Sequence, residues 1–241
     1  MSRLKTWIAR ASIISVAAAI EFSSRFARTA ILSRLLLPAE FGTAVAITVA
    51  IGTAELVTDV AFDKFVMVNS DEDSSLAAAH ILSIIRGVLL ALVFIVSGPS
   101  IAAFFGVPQF SASFALVALV PFVRSFSHLG IVQVQRSYDY APGTCAQLFA
   151  QAAALVAAFA GAYVLRDHRA ILVSYVMEAL VYCAASHALA RKPYQLRSNQ
   201  VTLYAAISFG IPLLINGGAL AILSQLDRML IGHWLDRKSV V

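Results

Sequence analysis

Glu21, Arg25 and Arg28 interrupt an apolar run at spacings of four and three. A helix carries all three on one side. The next apolar run holds Glu55, Asp59 and Asp63, each four residues from the last, and Thr48 and Gly52 extend that face. Ionisable groups inside hydrocarbon are costly, so they face a bundle interior or a water-filled path, pair with one another, and mark routes for substrates or protons. A carboxylate in the same setting suits proton or ion coupling. If the two helices fold back at Pro38, Glu55 reaches the depth of Glu21 and Arg25 lies about one turn from both. Arg25 is then expected to pair with Glu21 or Glu55, and Arg28 to stay nearer the outer mouth. Two readings stand: the charges neutralise one another and fix packing, or they line a hydrated, partly cationic cavity at the bundle centre.

Further polar groups lie deeper in the chain. Arg86, Arg124 and His128 fall in apolar stretches, and Glu178 shares a helical face with Ser174 and Tyr182. Glu178 reads as a proton-exchanging carboxylate or as a hydrogen-bonded packing residue. The five histidines, His80, His128, His168, His187 and His233, show no metal-ligand spacing, and Cys145 and Cys183 form no CxxC motif. Both cysteines read as small buried apolar residues. No phosphate-binding loop, dinucleotide fingerprint or nucleophile elbow occurs. The chain is therefore read as a non-enzyme without metal or cofactor.

These groups need elements that hold them in lipid. Of 241 residues, 60% are hydrophobic and 13% charged, against roughly half and a quarter in soluble domains. The apolar runs are too long for barrel strands and lack a period of two. An all-α polytopic transmembrane bundle of about seven spans follows. The expected helices are 7–33, 41–67, 76–96, 110–132, 143–165, 170–189 and 201–227, the third ending before Gly98-Pro99 and the fourth containing Pro121. Segment 100–108 reads as an interfacial turn, and 69–75, the most polar run, as a loop.

The net charge of +5 has a topological explanation. With the N-terminus cytoplasmic, inner loops hold Arg3, Lys5, Arg10, Arg136, Arg191, Lys192 and Arg197, while the other side holds Arg34, Arg166 and Arg169 and the charges after the seventh span. No basic run is interleaved with aromatics, so nucleic acid is not an expected partner. Arg3, Lys5 and Arg10 before the apolar stretch 11–20 resemble a signal peptide, but the helical pattern continues to Leu37, which favours an uncleaved first span.

The stretch from Arg28 through Leu35-Leu36-Leu37-Pro38-Ala39-Glu40-Phe41-Gly42 is similar to the end of the first span and the following turn in polysaccharide transporters of the multidrug/oligosaccharidyl-lipid/polysaccharide exporter superfamily, with Leu37 where glycine is usual. Thr53–Phe62, with Asp59, resembles their second span. Gln135–Tyr140 resembles the loop before the fifth, Phe209–Leu214 the start of the seventh, and Leu226–Gly232 the motif that closes it. Family members carry two six-helix lobes. The resemblance implies that residues 1–200 form the N-terminal lobe and 201–241 the first helix of a second lobe. An offset of 200 residues aligns Ser24, Arg28, Ile31 and Leu35 with Ser224, Arg228, Ile231 and Leu235, consistent with paired lobes. The chain is expected to be truncated after that helix.

What the resemblance implies is a multi-pass protein of the cell inner membrane, a flippase for lipid-linked oligosaccharide in surface polysaccharide (lipopolysaccharide or exopolysaccharide) biosynthesis. Its partners would be that substrate, membrane lipids, and the polymerase and assembly proteins of the pathway. Arg25, Arg28, Arg86 and Arg228 are the expected cationic contacts, and Glu21, Glu55, Asp59, Glu178 and Asp227 the expected coupling or charge-pairing groups. Two alternatives stand: a drug or metabolite antiporter of the same superfamily, with a more acidic and aromatic cavity, and an inactive fragment or assembly partner of a polysaccharide-synthesis complex.

Overall fold

A computed structural model of the chain describes the backbone of residues 2–69 and 72–234, and side chains at 15, 16, 18–69 and 73–223. The helices are α1 (Ser2–Leu35), α2 (Pro38–Val57), α3 (Phe62–Val68), α4 (Glu72–Phe104), α5 (Ser111–Leu116), α6 (Leu119–Arg124), α7 (Gly130–Gln133), α8 (Ala141–Leu165), α9 (Arg169–Leu189) and α10 (Gln200–Trp234). Short 3-10 turns cover Pro108–Phe110 and Val134–Ser137, and no strand occurs among the described residues. Five stretches are long and apolar enough to cross a membrane: Pro38–Val68, Asp73–Phe104, Ala141–Leu165, Arg169–Leu189 and Gln200–Leu223. Their outward faces are apolar, with Val96, Val164, Ile215 and Leu223 each more than 70% exposed. Such a surface suits lipid.

The expected count of seven spans differs from these five at two places. The first expected span lies in α1, where side chains are described only from Ser15. The fourth, 110–132, is not one helix: it breaks at Val117–Ala118 and again between Ser125 and Leu129. Pro121 supplies no backbone donor there, and Ser125 Oγ bonds the Phe122 carbonyl instead. The segment still passes from one end of the bundle to the other. Ser113 bonds His168 beside the α8–α9 turn, while the His128 amide bonds Ser186 near the far end of α9.

Two further expectations change. α4 does not stop before Gly98-Pro99 but runs through Pro99 to Phe104, and the chain turns only at Gly106, whose φ is +76°. The second span is interrupted at Thr58–Ala61, where Ala61 takes a left-handed φ of 49°. Non-helical backbone within a span is tolerated where protein covers it or where it lines a cavity.

Packing follows residue size. α8 buries Ala146, Ala150, Ala154, Ala157, Ala158, Gly161 and Ala162, and small residues let helix backbones approach in a membrane. α8 lies along α9 on one side and α1 on the other. α1 buries Ser24, Arg28 and Leu32, a stripe with a spacing of four that Leu36 continues just past its end. Leu32, Leu36, Ile47, Phe94, Phe105, Phe114 and Ile171 belong to the larger apolar core. Two ends result. One, here the turn end, gathers Leu36–Leu37, Phe105–Val107 and Arg166–His168. The other, the loop end, gathers Asn69, 133–140 and 190–199.

Candidate functional site

The interruption at Thr58–Ala61 builds the site. Asp59 Oδ1 accepts from the Ala61 amide at 2.9 Å, and Thr58 Oγ1 donates to the Ala54 carbonyl at 2.6 Å. The first bond satisfies an amide that the broken helix leaves over, and the second is added to the Ala54 carbonyl's bond from the Thr58 amide. The turn places Glu55, Asp59 and Asp63 on the wall of a cavity of about 560 Å³. Arg25 reaches it from α1, Arg86 from α4, and Arg124 with Tyr182 from α6 and α9. Leu129, Val132 and Ser83 extend the lining toward the loop end.

The guanidinium groups have loose anchors. Arg86 Nε donates to Thr58 Oγ1 at 3.4 Å. Arg124 lies 3.8 Å from Glu55 and 5.4 Å from the Tyr182 ring centre. Arg25 pairs with Glu21 at 2.7 Å along α1 and is 58% exposed. A β-carbon at Gly87 would collide with Ser125 and come within 2.8 Å of the Pro121 carbonyl. That close approach brings α6 against α4 and sets Arg124 across from Arg86.

Arg28 sits elsewhere. It lies about 60° around α1 from Arg25, enough to turn it into the seam with α8 and α9. Its side chain is 3% exposed and bonds Glu178 at 2.9 Å and Ser174 Oγ at 3.2 Å, with the Tyr175 ring 4.5 Å away. Glu178 also accepts from Gln151 Nε2 at 3.0 Å. Charges buried this completely need such a set of partners. The expected position of Arg28 near an outer mouth is therefore corrected: it is a core residue paired across helices.

The structure thus brings together Arg25, Arg86, Glu55 and Asp59 of the expected set, with Glu21 beside Arg25. It places Arg28 and Glu178 in a separate buried pair. Asp227 and Arg228 lie on α10, where their side chains fall outside the described residues. Arg124, Asp63 and Tyr182 join the cavity; the break at Thr58–Ala61 turns Asp63 to it, while Arg124 and Tyr182 come from α6 and α9. Three arginines face three carboxylates, so the lining is mixed in charge rather than mainly cationic.

Histidines serve the two ends. His80 Nδ1 donates to the Gln195 carbonyl and Nε2 accepts from the Leu129 amide, which defines a neutral tautomer. His128 Nδ1 accepts from the Gly130 amide, and Nε2 donates to the Lys192 carbonyl. Tyr194 stacks on His80 with ring centres 4.1 Å apart. Together they fasten the 190–195 loop over the loop end. At the turn end, His168 links Glu40 at 2.7 Å to Ser113 at 2.8 Å. The order is that of a hydrolytic triad, but Ser113 is only 4% exposed and the Phe110 ring lies 4.3 Å from His168. This is a clasp between α2, α5 and α9. Cys145, expected to be buried, is exposed on α8.

Comparison with known proteins gives one family match: the model of the polysaccharide biosynthesis protein family matches residues 31–240. No curated protein and no solved structure matches the chain.

Proposed function

The chain belongs to the polysaccharide biosynthesis protein family, and we propose that it provides the membrane path by which a lipid-linked oligosaccharide changes leaflet in surface polysaccharide biosynthesis. The observation that carries this reading is the polar cavity inside an apolar bundle, with Arg25, Arg86 and Arg124 on its wall. A diphosphate headgroup needs guanidinium donors and water within hydrocarbon. A glycan adds hydroxyl groups that the carboxylates Glu55, Asp59 and Asp63 accept from. The lipid tail stays outside, against the exposed apolar faces. In this reading the loop end, with Arg136, Arg191, Lys192 and Arg197, faces the cytoplasm of an inner-membrane protein. The cavity lining extends toward that end, so headgroup loading comes from the cytoplasmic leaflet. Asp59 is the cavity carboxylate placed to couple an ion, and the Glu178–Arg28 pair holds α9 to α1 behind it.

The test is surface polysaccharide made by cells that depend on this protein. Arg86→Ala and Arg124→Ala, which each remove charged hydrogen bonds, are expected to lower output by about tenfold to a hundredfold. Unchanged output in both, at equal protein level, would contradict the reading.

The carboxylates favour a second reading. Three acids against three arginines also suit a metabolite antiporter with a cationic or zwitterionic substrate. In that case Asp59→Asn abolishes transport, while Arg86→Ala leaves it in place.

A further inference from the structure

α10 meets the cavity wall through small residues. Among its described side chains, Thr202, Ala206, Gly210, Gly217 and Ala221 are the buried positions, a single face at spacings of four and seven. That face lies on α2, α3 and α4. Gly210 and Gly217 meet the interruption in the second span itself. A β-carbon at Gly217 would collide with the Leu56 carbonyl oxygen and lie 3.9 Å from that of Asp59. A β-carbon at Gly210 would collide with Val60 Cγ1 and come within 3.1 Å of the Val60 carbonyl. Leu56 and Asp59 line the cavity. The same four-residue break therefore shows Asp59 to the cavity and its backbone to α10. Gly218, next along the helix, has nothing within 4 Å of its β-carbon position.

We infer that Gly210 and Gly217 are positioning residues: they let α10 bear directly on the Thr58–Ala61 backbone and so set where Asp59 and its neighbours stand in the cavity. The backbone ladder thins out across the break after the bonds from the Thr58 and Asp59 amides to the Ala54 and Leu56 carbonyls. Asp59 Oδ1 and Thr58 Oγ1 hold it from within, and α10 holds it from outside. Displacing α10 moves the cavity wall, because carbonyl oxygens at van der Waals contact with a glycine have no side chain to absorb the shift. This makes α10 a mechanical connection to the site, and it holds whether or not the cavity carries a lipid-linked glycan.

The test reads the cavity rather than transport. In the purified full chain, with Cys145→Ala and Cys183→Ala, a single Ser83→Cys reports the lining through its rate of reaction with a water-soluble maleimide. Gly217→Ala and Gly210→Ala are each expected to change that rate by about threefold or more, the coupling typical of residues in contact. Gly218→Ala is expected to leave it unchanged. Val60→Ala removes Cγ1, the atom that a methyl group at 210 would collide with, and leaves the Val60 carbonyl and Cβ at 3.1 and 3.3 Å, so Gly210→Ala with Val60→Ala is expected to move the rate back toward the parent's. If Gly217→Ala does not yield monodisperse protein, the 210–60 pair decides alone. Equal rates for the alanines at 210 and 218, or failure of Val60→Ala to move the rate back, would overturn the inference.

Discussion

A guanidinium and a carboxylate held out of water, as Arg28 and Glu178 are, depend on each other. Removing one strands the other, which costs about 3–5 kcal/mol, whereas replacing both with apolar residues of similar size is far milder. Glu178→Ala is therefore expected to lower the thermal unfolding midpoint in detergent sharply, and Arg28→Met with Glu178→Leu to recover most of it. A midpoint unmoved by Glu178→Ala would show that the pair is not buried. The sequence marks both residues as charges in apolar runs, but not as partners, because 150 positions separate them. It places Arg25, Arg28 and Glu21 on one helical side. It does not show that about 60° of rotation sends Arg28 into the α8–α9 seam and leaves Arg25 at the cavity. Arg124 is marked in the sequence as a charge in an apolar stretch but not as a cavity contact. Its signal, a lone arginine after a proline inside an apolar run, is present in the sequence, but its direction depends on how α6 breaks.

At the scale of elements, the helices with steady apolar composition lie within a few residues of where composition puts them: α8, α9 and the body of α10 are examples. The interruptions are harder to read. Thr58–Ala61 contains no glycine or proline, and Ala61 reaches φ 49° only because Asp59 bonds its amide and α10 covers the break. The loop at 190–195 is similar. It reads as a polar basic connection, yet His80 and His128 tie it down through bonds to Gln195 and Lys192. His128→Ala leaves the buried Gly130 amide and the Lys192 carbonyl without these partners, at about 1–3 kcal/mol for a buried group. Trypsin cleavage after Arg191 is expected to quicken in that variant while the bundle stays folded. Equal cleavage in the parent and the variant would mean that the histidine does not hold the loop.

At the scale of the whole molecule, membrane residence was legible from composition alone, since an apolar content of 60% exceeds what a soluble surface accommodates. The ordering of connections between two ends was also legible, because loop positions alternate. The number of continuous spans was not, because proline and serine break the 108–137 segment while its apolar composition persists. That segment nonetheless runs from one end of the bundle to the other. Cysteines introduced singly at Val107 and Ser137, which flank that segment, in a background without Cys145 and Cys183, are therefore expected to react from opposite faces of the membrane. Reaction of both from one face would contradict the arrangement of the ends.

The most direct measurement is leaflet transfer itself. The protein is reconstituted in vesicles with a polyprenyl diphosphate-linked oligosaccharide, and the fraction of glycan exposed to an added glycosidase is followed over time. The account predicts transfer with the parent protein and a loss of about tenfold or more when Arg86 and Arg124 are both replaced by alanine. Transfer at the same rate in empty vesicles, the parent and the double variant would contradict it.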